Sequence, residues 1–247
     1  MSRNLNIALK AFVCLFVIGT MVLIIPLFQN LKRNMKTESC QSNLKQMGLA
    51  FIEYDQENDG AMPNISRGST HTTWRQAIFP YVKASIVYHC PDRGDSLNII
   101  GSDGLSQDYA ANYTGNYGKT QPDKGNGAFA GPDSKPISTA EFNNSSMTFV
   151  LVEAESNNRP EFNIDNAKLF SPNAHKLWAG ELSGRNYVWE KQYAGGNYLM
   201  ADGHVKWLRP EETYQTDKHG KVLHNYWYRD IHKPLSANGV AVLKAAN

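Results

Sequence analysis

The chain has 247 residues, 41% of them hydrophobic, which supplies enough apolar surface for one or two domains and excludes collagen-like and fully disordered readings. Its 25 basic and 23 acidic residues leave a net charge of +2, so no chain-wide field points to nucleic acid or to an acidic partner. The mean hydropathy of −0.47 is ordinary, yet the apolar residues are placed unevenly, with a dense block near the N-terminus.

Residues 1–10, with Arg3 and Lys10, read as a short N-terminal segment. Residues 11–31 contain no charge, and only Gly19, Thr20, Pro26, Gln29 and Asn30 interrupt the apolar run. At about 1.5 Å per residue this segment reaches roughly 30 Å, the thickness of a bilayer core, so one transmembrane helix and a membrane-bilayer partner are expected. A cleavable secretory peptide is the rival, but small residues spaced like Ala-x-Ala are missing after Phe28. Charge does not decide orientation, because Arg3 and Lys10 on one side face Lys32, Arg33 and Lys36 on the other.

Residues 32–60 continue as a helical stalk. Leu44, Met47, Phe51 and Tyr54 recur along one helix face, and Asn58-Asp59-Gly60 ends it, with Gly60 suited to the left-handed position after the last turn. The head follows over 61–208, with patterning that reads as short and strand-like. Ile86–Cys90 and Thr148–Glu153 are expected strands. Between them lies a stretch rich in Gly, Asn, Asp and Tyr, including Asp108–Tyr113, which reads as ordered loop with small strands. Asp202-Gly203 reads as a two-residue type I′ hairpin turn. That turn pairs Met200 with Val205 and Tyr198 with Trp207, and sets Tyr198, Met200, Val205 and Trp207 on one apolar face. Residues 209–247 form a C-terminal extension.

Of three cysteines, Cys14 lies in the apolar helix and reads as a small hydrophobe. Cys40 and Cys90 can pair if the head is exported to an oxidising space, the alternative being two buried free thiols. The chain contains no Gly-x-Ser-x-Gly elbow, P-loop, His-Glu-x-x-His or Cys-x-x-Cys, so no enzyme, catalytic residue, metal site or cofactor is expected. Asp55–Gly60 looks like the start of an EF-hand loop, but the twelfth position is Ser66, where a bidentate Glu is needed.

Four segments occur in the order of a known family: Cys40–Ala50, Tyr54–Pro63, Tyr81-Val82-Lys83 with Cys90-Pro91, and Gly196–Leu208. Through them the chain resembles bacterial prepilin-like proteins with the His-x9-Asp-Gly processing-associated domain, a DUF1559-like group related to the pseudopilins of type II secretion. At the peptidase cut site, Arg3 takes the basic place, Asn4 the family's Gly, Leu5 its Phe and Leu9 its Glu. The family's Gly is what the prepilin peptidase requires. Its Glu is implied to neutralise a neighbouring subunit's amine. Counting back from Asp202, the family's His is Gln192 here, preceded by Lys191.

The resemblance implies an α+β, pilin-like fold: a long N-terminal helix, transmembrane plus stalk, packed on a small antiparallel sheet with long loops. It implies a single-pass protein of the bacterial inner membrane, with residues 1–10 as a short cytoplasmic N-terminus and its head in the periplasm or cell envelope. The work expected is structural, in or beside a type II secretion or type IV pilus-like system, with other pseudopilin-like subunits as partners. The second expectation is a membrane-tethered binding module, for example for glycans, whose Tyr, Trp and Asn-rich loops hold the ligand.

Overall fold

The structure is a computed structural model that describes residues 2–65, 72–91, 103–106, 108–113, 126–131, 134–153, 161–162, 167–169, 177–179 and 195–245; among these, the side chains of 2–9, 11, 26–27, 29–34, 161–179 and 210 are left out. In chain order the regular elements are α1 (Ser2–Glu57), α2 (Trp74–Val82), β1 (Tyr109–Asn112), β2 (Phe149–Glu153), β3 (Glu161–Phe162), β4 (Ala167–Leu169), β5 (Leu177–Ala179), β6 (Gly196–Met200), β7 (Val205–Leu208), β8 (Tyr214–Thr216), β9 (Val222–Asn225) and α3 (Ala237–Ala245). The architecture is α+β.

A single helix covers both the apolar segment and the stalk. From Cys40 onward Leu44, Met47, Ala50 and Phe51 are buried, a stripe at helical spacing that faces the sheet. Asp59 and Gly60 end the helix with φ of 55° and 73°, and the Gly60 N–H donates to the Asp55 carbonyl at 2.9 Å.

Two local expectations are corrected between this helix and β1. First, the segment after Gly60 contains α2, capped by a reciprocal pair: the Thr73 side chain accepts from the Gln76 N–H, and the Gln76 side chain accepts from the Thr73 N–H. That Thr-x-x-Gln box stands directly before the apolar run and is legible in the sequence. Second, Ile86–Cys90 is not a strand. Ser85–Tyr88 forms a turn of 3-10 helix, in which Val87 and His89 donate back to the carbonyls of Ala84 and Ile86. Neighbouring Val87 and Tyr88 are both buried, which a half-exposed strand does not allow.

The main sheet has the order β3-β1-β2-β6-β7, antiparallel except at one edge, where β3 runs parallel to β1. β1, in the stretch expected to be ordered loop with small strands, is buried along its whole length. Both faces of the sheet are covered. On the α1 side, Ala111, Val150, Leu151 and Leu199 join Leu44, Met47, Phe51 and Trp74. On the other, Ala110, Phe149, Val152, Tyr198 and Met200 pack against Trp227, Tyr228, Leu235, Val242 and Leu243 of the C-terminal extension. An irregularity between Phe149 and Leu151 turns Val150 and Leu151 to the same face.

The Asp202-Gly203 hairpin exists, but its register differs from the expected one by a single residue. Tyr198 pairs with Lys206 and Leu199 with Val205, and the Met200 N–H donates to the His204 carbonyl at 2.9 Å. The loop is therefore Ala201-Asp202-Gly203, with only Gly203 at positive φ (88°). This is the three-residue hairpin with a left-handed glycine, not type I′. One residue of slip exchanges the faces of β7. Val205 packs on the α1 side, while Lys206 reaches the opposite side, its Nζ 5.4 Å from the Tyr226 ring centroid.

Gly48 and Gly203 mark where α1 meets this turn. A Cβ on Gly48 would lie 3.1 Å from both the Cα and the carbonyl oxygen of Gly203 and 2.9 Å from Leu199 Cδ1. Gly48→Ala is expected to cost about 1–3 kcal/mol through overpacking against backbone. Gly203→Val, which adds left-handed strain and a clash near Ile52, should cost at least as much. Urea midpoints measure both, and an unchanged midpoint for Gly48→Ala would show that helix and turn do not touch.

Candidate functional site

The chemistry-bearing side chains gather where Cys40 of α1, the start of β1, the end of β2 and the start of β6 converge. Cys40 and Cys90 form a disulfide with Cα atoms 5.0 Å apart, which ties α1 to the segment after α2. Both are buried, at 0% and 2% exposure. Of the two readings left open by the sequence, the bridge is the one found.

Two polar chains flank the bridge. On one side the Glu153 carboxylate accepts from the Asn197 N–H and from Asn197 Nδ2, each at 2.9 Å, while Gln41 Nε2 donates to Asn197 Oδ1 at 2.8 Å. Glu153 Oε1 also lies 3.7 Å from Cys90 Sγ. On the other side Asp108, 1% exposed, accepts from the Cys90 N–H at 2.9 Å and from Ser106 Oγ at 3.1 Å, and bonds His89 Nδ1 at 2.8 Å. Asn43 Nδ2 donates to the His89 carbonyl at 2.7 Å. A buried carboxylate costs several kcal/mol unless its lone pairs are satisfied, and Asp108 has at least three partners. Ser106 turns its hydroxyl to the carboxylate that also holds His89, so this Ser, His and Asp do not form the relay in which a hydroxyl is activated by the imidazole.

A second buried group stands beside α2. Arg75 pairs with Asp103 at 2.7 Å, with both side chains almost inaccessible, and Asp103 also accepts from Thr73 Oγ1 and the Leu105 N–H. Burial pushes the Tyr88 hydroxyl pKa well up, so it stays protonated and donates to the Arg75 carbonyl at 2.9 Å. This cluster ties the 103–106 segment to α2.

At the N-terminal end, Phe12, Leu15, Phe16, Val17, Ile18, Val22 and Leu23 are exposed on every side of α1, as is the free thiol residue Cys14. Among the described residues no helix is long and apolar enough to cross a membrane. Arg3, Asn4, Leu5 and Leu9 fall in the helical backbone of α1, with side chains outside those described; Lys191 and Gln192 lie outside the described residues altogether. Asp202 closes its own turn, its Oδ1 accepting from the His204 N–H at 3.2 Å and bonding His204 Nδ1.

A family model described as a protein of unknown function (DUF1559) matches residues 33–156. The chain belongs to the DUF1559 family. No curated protein and no solved structure matches it. The DUF1559 match runs through the docked half of α1, α2, both bridged cysteines and the whole of β2 with Glu153, and it stops before the Asp202-Gly203 hairpin. Sequence reasoning named the two cysteines. It did not single out Glu153, Asn197, Asp108 or His89, although the apolar run of β2 ending abruptly in Glu153 was a usable signal.

Opening the Cys40–Cys90 bridge of this DUF1559 protein should be costly, because it closes a loop with a sequence separation of 50. The chain-entropy model sets the upper value at about 4 kcal/mol. Cys90→Ser is therefore expected to lower the melting temperature by several degrees. Thiol labelling of the denatured, unreduced wild type should find Cys14 alone. Three reactive thiols would reject the bridge.

Proposed function

We propose that this DUF1559 protein is a non-enzymatic, single-span envelope protein of the pseudopilin-like class: α1 anchors it in the bacterial inner membrane and the head stands in the periplasm or cell envelope. Its work is structural, in or attached to a type II secretion or pilus-like system.

The observation that carries this reading is the division of one helix into two environments. Between Cys40 and Phe51 the apolar side chains face a sheet, whereas Phe12, Val13, Leu15, Phe16, Val17 and Ile18 cover every direction around the helix and are all exposed. A helix apolar all round is stable in lipid or inside an assembly, and soluble monomers rarely leave such a surface in water. The 21 uncharged residues of 11–31 supply the length.

The tethered binding module has less support. Trp74, Trp227, Tyr88, Tyr109, Tyr113 and Tyr198 are fully buried, so much of the aromatic content that fits sugar recognition belongs to the core.

Two measurements test the proposal. The full chain should remain in the membrane fraction through high salt and alkaline washing, and deletion of residues 1–36 should release a folded head. Recovery of full-length protein in the soluble fraction sinks the anchor. Filament assembly is tested separately at the N-terminus. Asn4 stands where cleavage needs Gly, and Leu9 where the family carries Glu, so a neighbour's amine finds no carboxylate in the apolar half of α1. The mature protein is therefore expected to keep Met1–Asn4 and act as a static anchor. Detection by mass spectrometry of a native, methylated N-terminus at Leu5 would reverse that and restore the filament role.

A further inference from the structure

We propose that Cys40, Cys90 and Glu153 form a zinc-class metal site whenever the cysteine pair is reduced, with oxidation to the disulfide and metal binding as the two alternative fates of the same sulfurs. This does not rest on the anchoring proposal. The ligand atoms, the two Sγ and one carboxylate oxygen, all lie within 4.8 Å of one another. Zinc bonds of about 2.3 Å to sulfur and about 2.0 Å to oxygen, set at the tetrahedral angle, place sulfur and oxygen roughly 3.5 Å apart. Cys90 Sγ and Glu153 Oε1 are already separated by 3.7 Å. Cα atoms 5.0 Å apart bring both thiolates to one small ion with little backbone movement.

The surroundings are those of a held ligand. Glu153 is oriented by two hydrogen bonds from Asn197, and Asn197 by one from Gln41, the kind of outer hydrogen bonding that fixes a ligating carboxylate. Three protein ligands leave the fourth position for water. Two thiolates select zinc, cadmium or cobalt over magnesium and calcium.

The balance closes. A dithiol reductant breaks the Cys40–Cys90 bond, passing two electrons and two protons to the sulfurs and becoming a disulfide itself. Zinc then displaces both protons to solvent as the two S–Zn bonds form.

The test uses the full chain in detergent in a Cys14→Ser background, so that the free thiol contributes nothing. After phosphine reduction and desalting, zinc is titrated against a chromophoric chelator, and cobalt(II) is added in parallel. The expected result is one zinc per reduced chain and none per oxidised chain, with a thiolate-to-cobalt charge-transfer band. Glu153→Gln should weaken affinity at least about 10-fold, and Cys90→Ser should abolish it. If reduction loosens the head, zinc must restore its near-ultraviolet circular dichroism. A reduced chain that takes up no stoichiometric zinc, an unfolded reduced chain that zinc does not rescue, or a Glu153→Gln chain as tight as wild type each overturns the site. None of these outcomes affects the membrane fractionation result.

Discussion

The head depends on the approach of α1 to the β6–β7 turn. At Gly48 the helix backbone comes so near the backbone of Gly203 that a Cβ there would lie 3.1 Å from it, closer than ordinary van der Waals contact. That proximity lets Leu44, Met47 and Phe51 reach Val150, Leu151 and Leu199 in one core. Interiors are packed as densely as organic crystals, so moving the helix out by a methyl group would forfeit contacts along its whole docked length. The disulfide at Cys40 holds the helix where it enters the head, and the left-handed pair Asp59 and Gly60 sends the chain off where it leaves. The glycine of the turn thus serves two demands, positive φ and close approach.

The second face of the sheet explains why the C-terminal 39 residues belong to the head's fold. Phe149 stacks between Tyr198 and Tyr226, with ring centroids 4.2 and 5.3 Å away, and meets Trp227 edge-on. Asn112, fully buried in β1, donates through Nδ2 to the carbonyls of Phe149 and Trp227, both at 2.9 Å. One side chain therefore joins two strands of the sheet to the extension. Trp227 Nε1 donates to Thr213 Oγ1 at 2.9 Å, so the largest ring in this layer leaves no buried donor unsatisfied. Remove the extension and Ala110, Phe149, Val152, Tyr198 and Met200 would face water together.

What could be read beforehand follows from range. The docked stripe of α1 was legible because 3.6-residue periodicity is a local property, and the Asp-Gly hairpin because turn chemistry is local too. Its register was not. Two- and three-residue loops both accept Asp-Gly, and Val205 and Trp207 are apolar enough to sit on either face. β1 was legible only as an unplaced small strand within an ordered loop, because a strand buried on both faces loses its alternation and Tyr-Ala-Ala-Asn carries little β-branched signal. Ile86–Cys90 was misjudged for the complementary reason, since a β-branched and aromatic run says that residues are buried without saying by which backbone. At the polar node the cysteines announced themselves by type, whereas Glu153, Asn197, His89 and Asp108 come from four separate stretches and meet only in three dimensions.

The two halves of α1 place opposite demands on one rigid element, and their junction shows how they are reconciled. Phe28 is exposed and apolar, Lys36 and Thr37 are half-exposed, and Cys40 is fully buried. Cys40 lies twelve residues beyond Phe28, about 18 Å along the helix. On the anchoring proposal, that polar stretch carries the head clear of the lipid headgroups before the first core contact is made. The disulfide fixes the helix from Cys40 onward by joining it to the segment that follows α2, and α2 in turn is tied through Arg75 and Asp103 to the loop leading into β1. The docked half of α1 is thus held to the head in two ways, by the core it shares with Val150, Leu151 and Leu199 and by the covalent bond at Cys40.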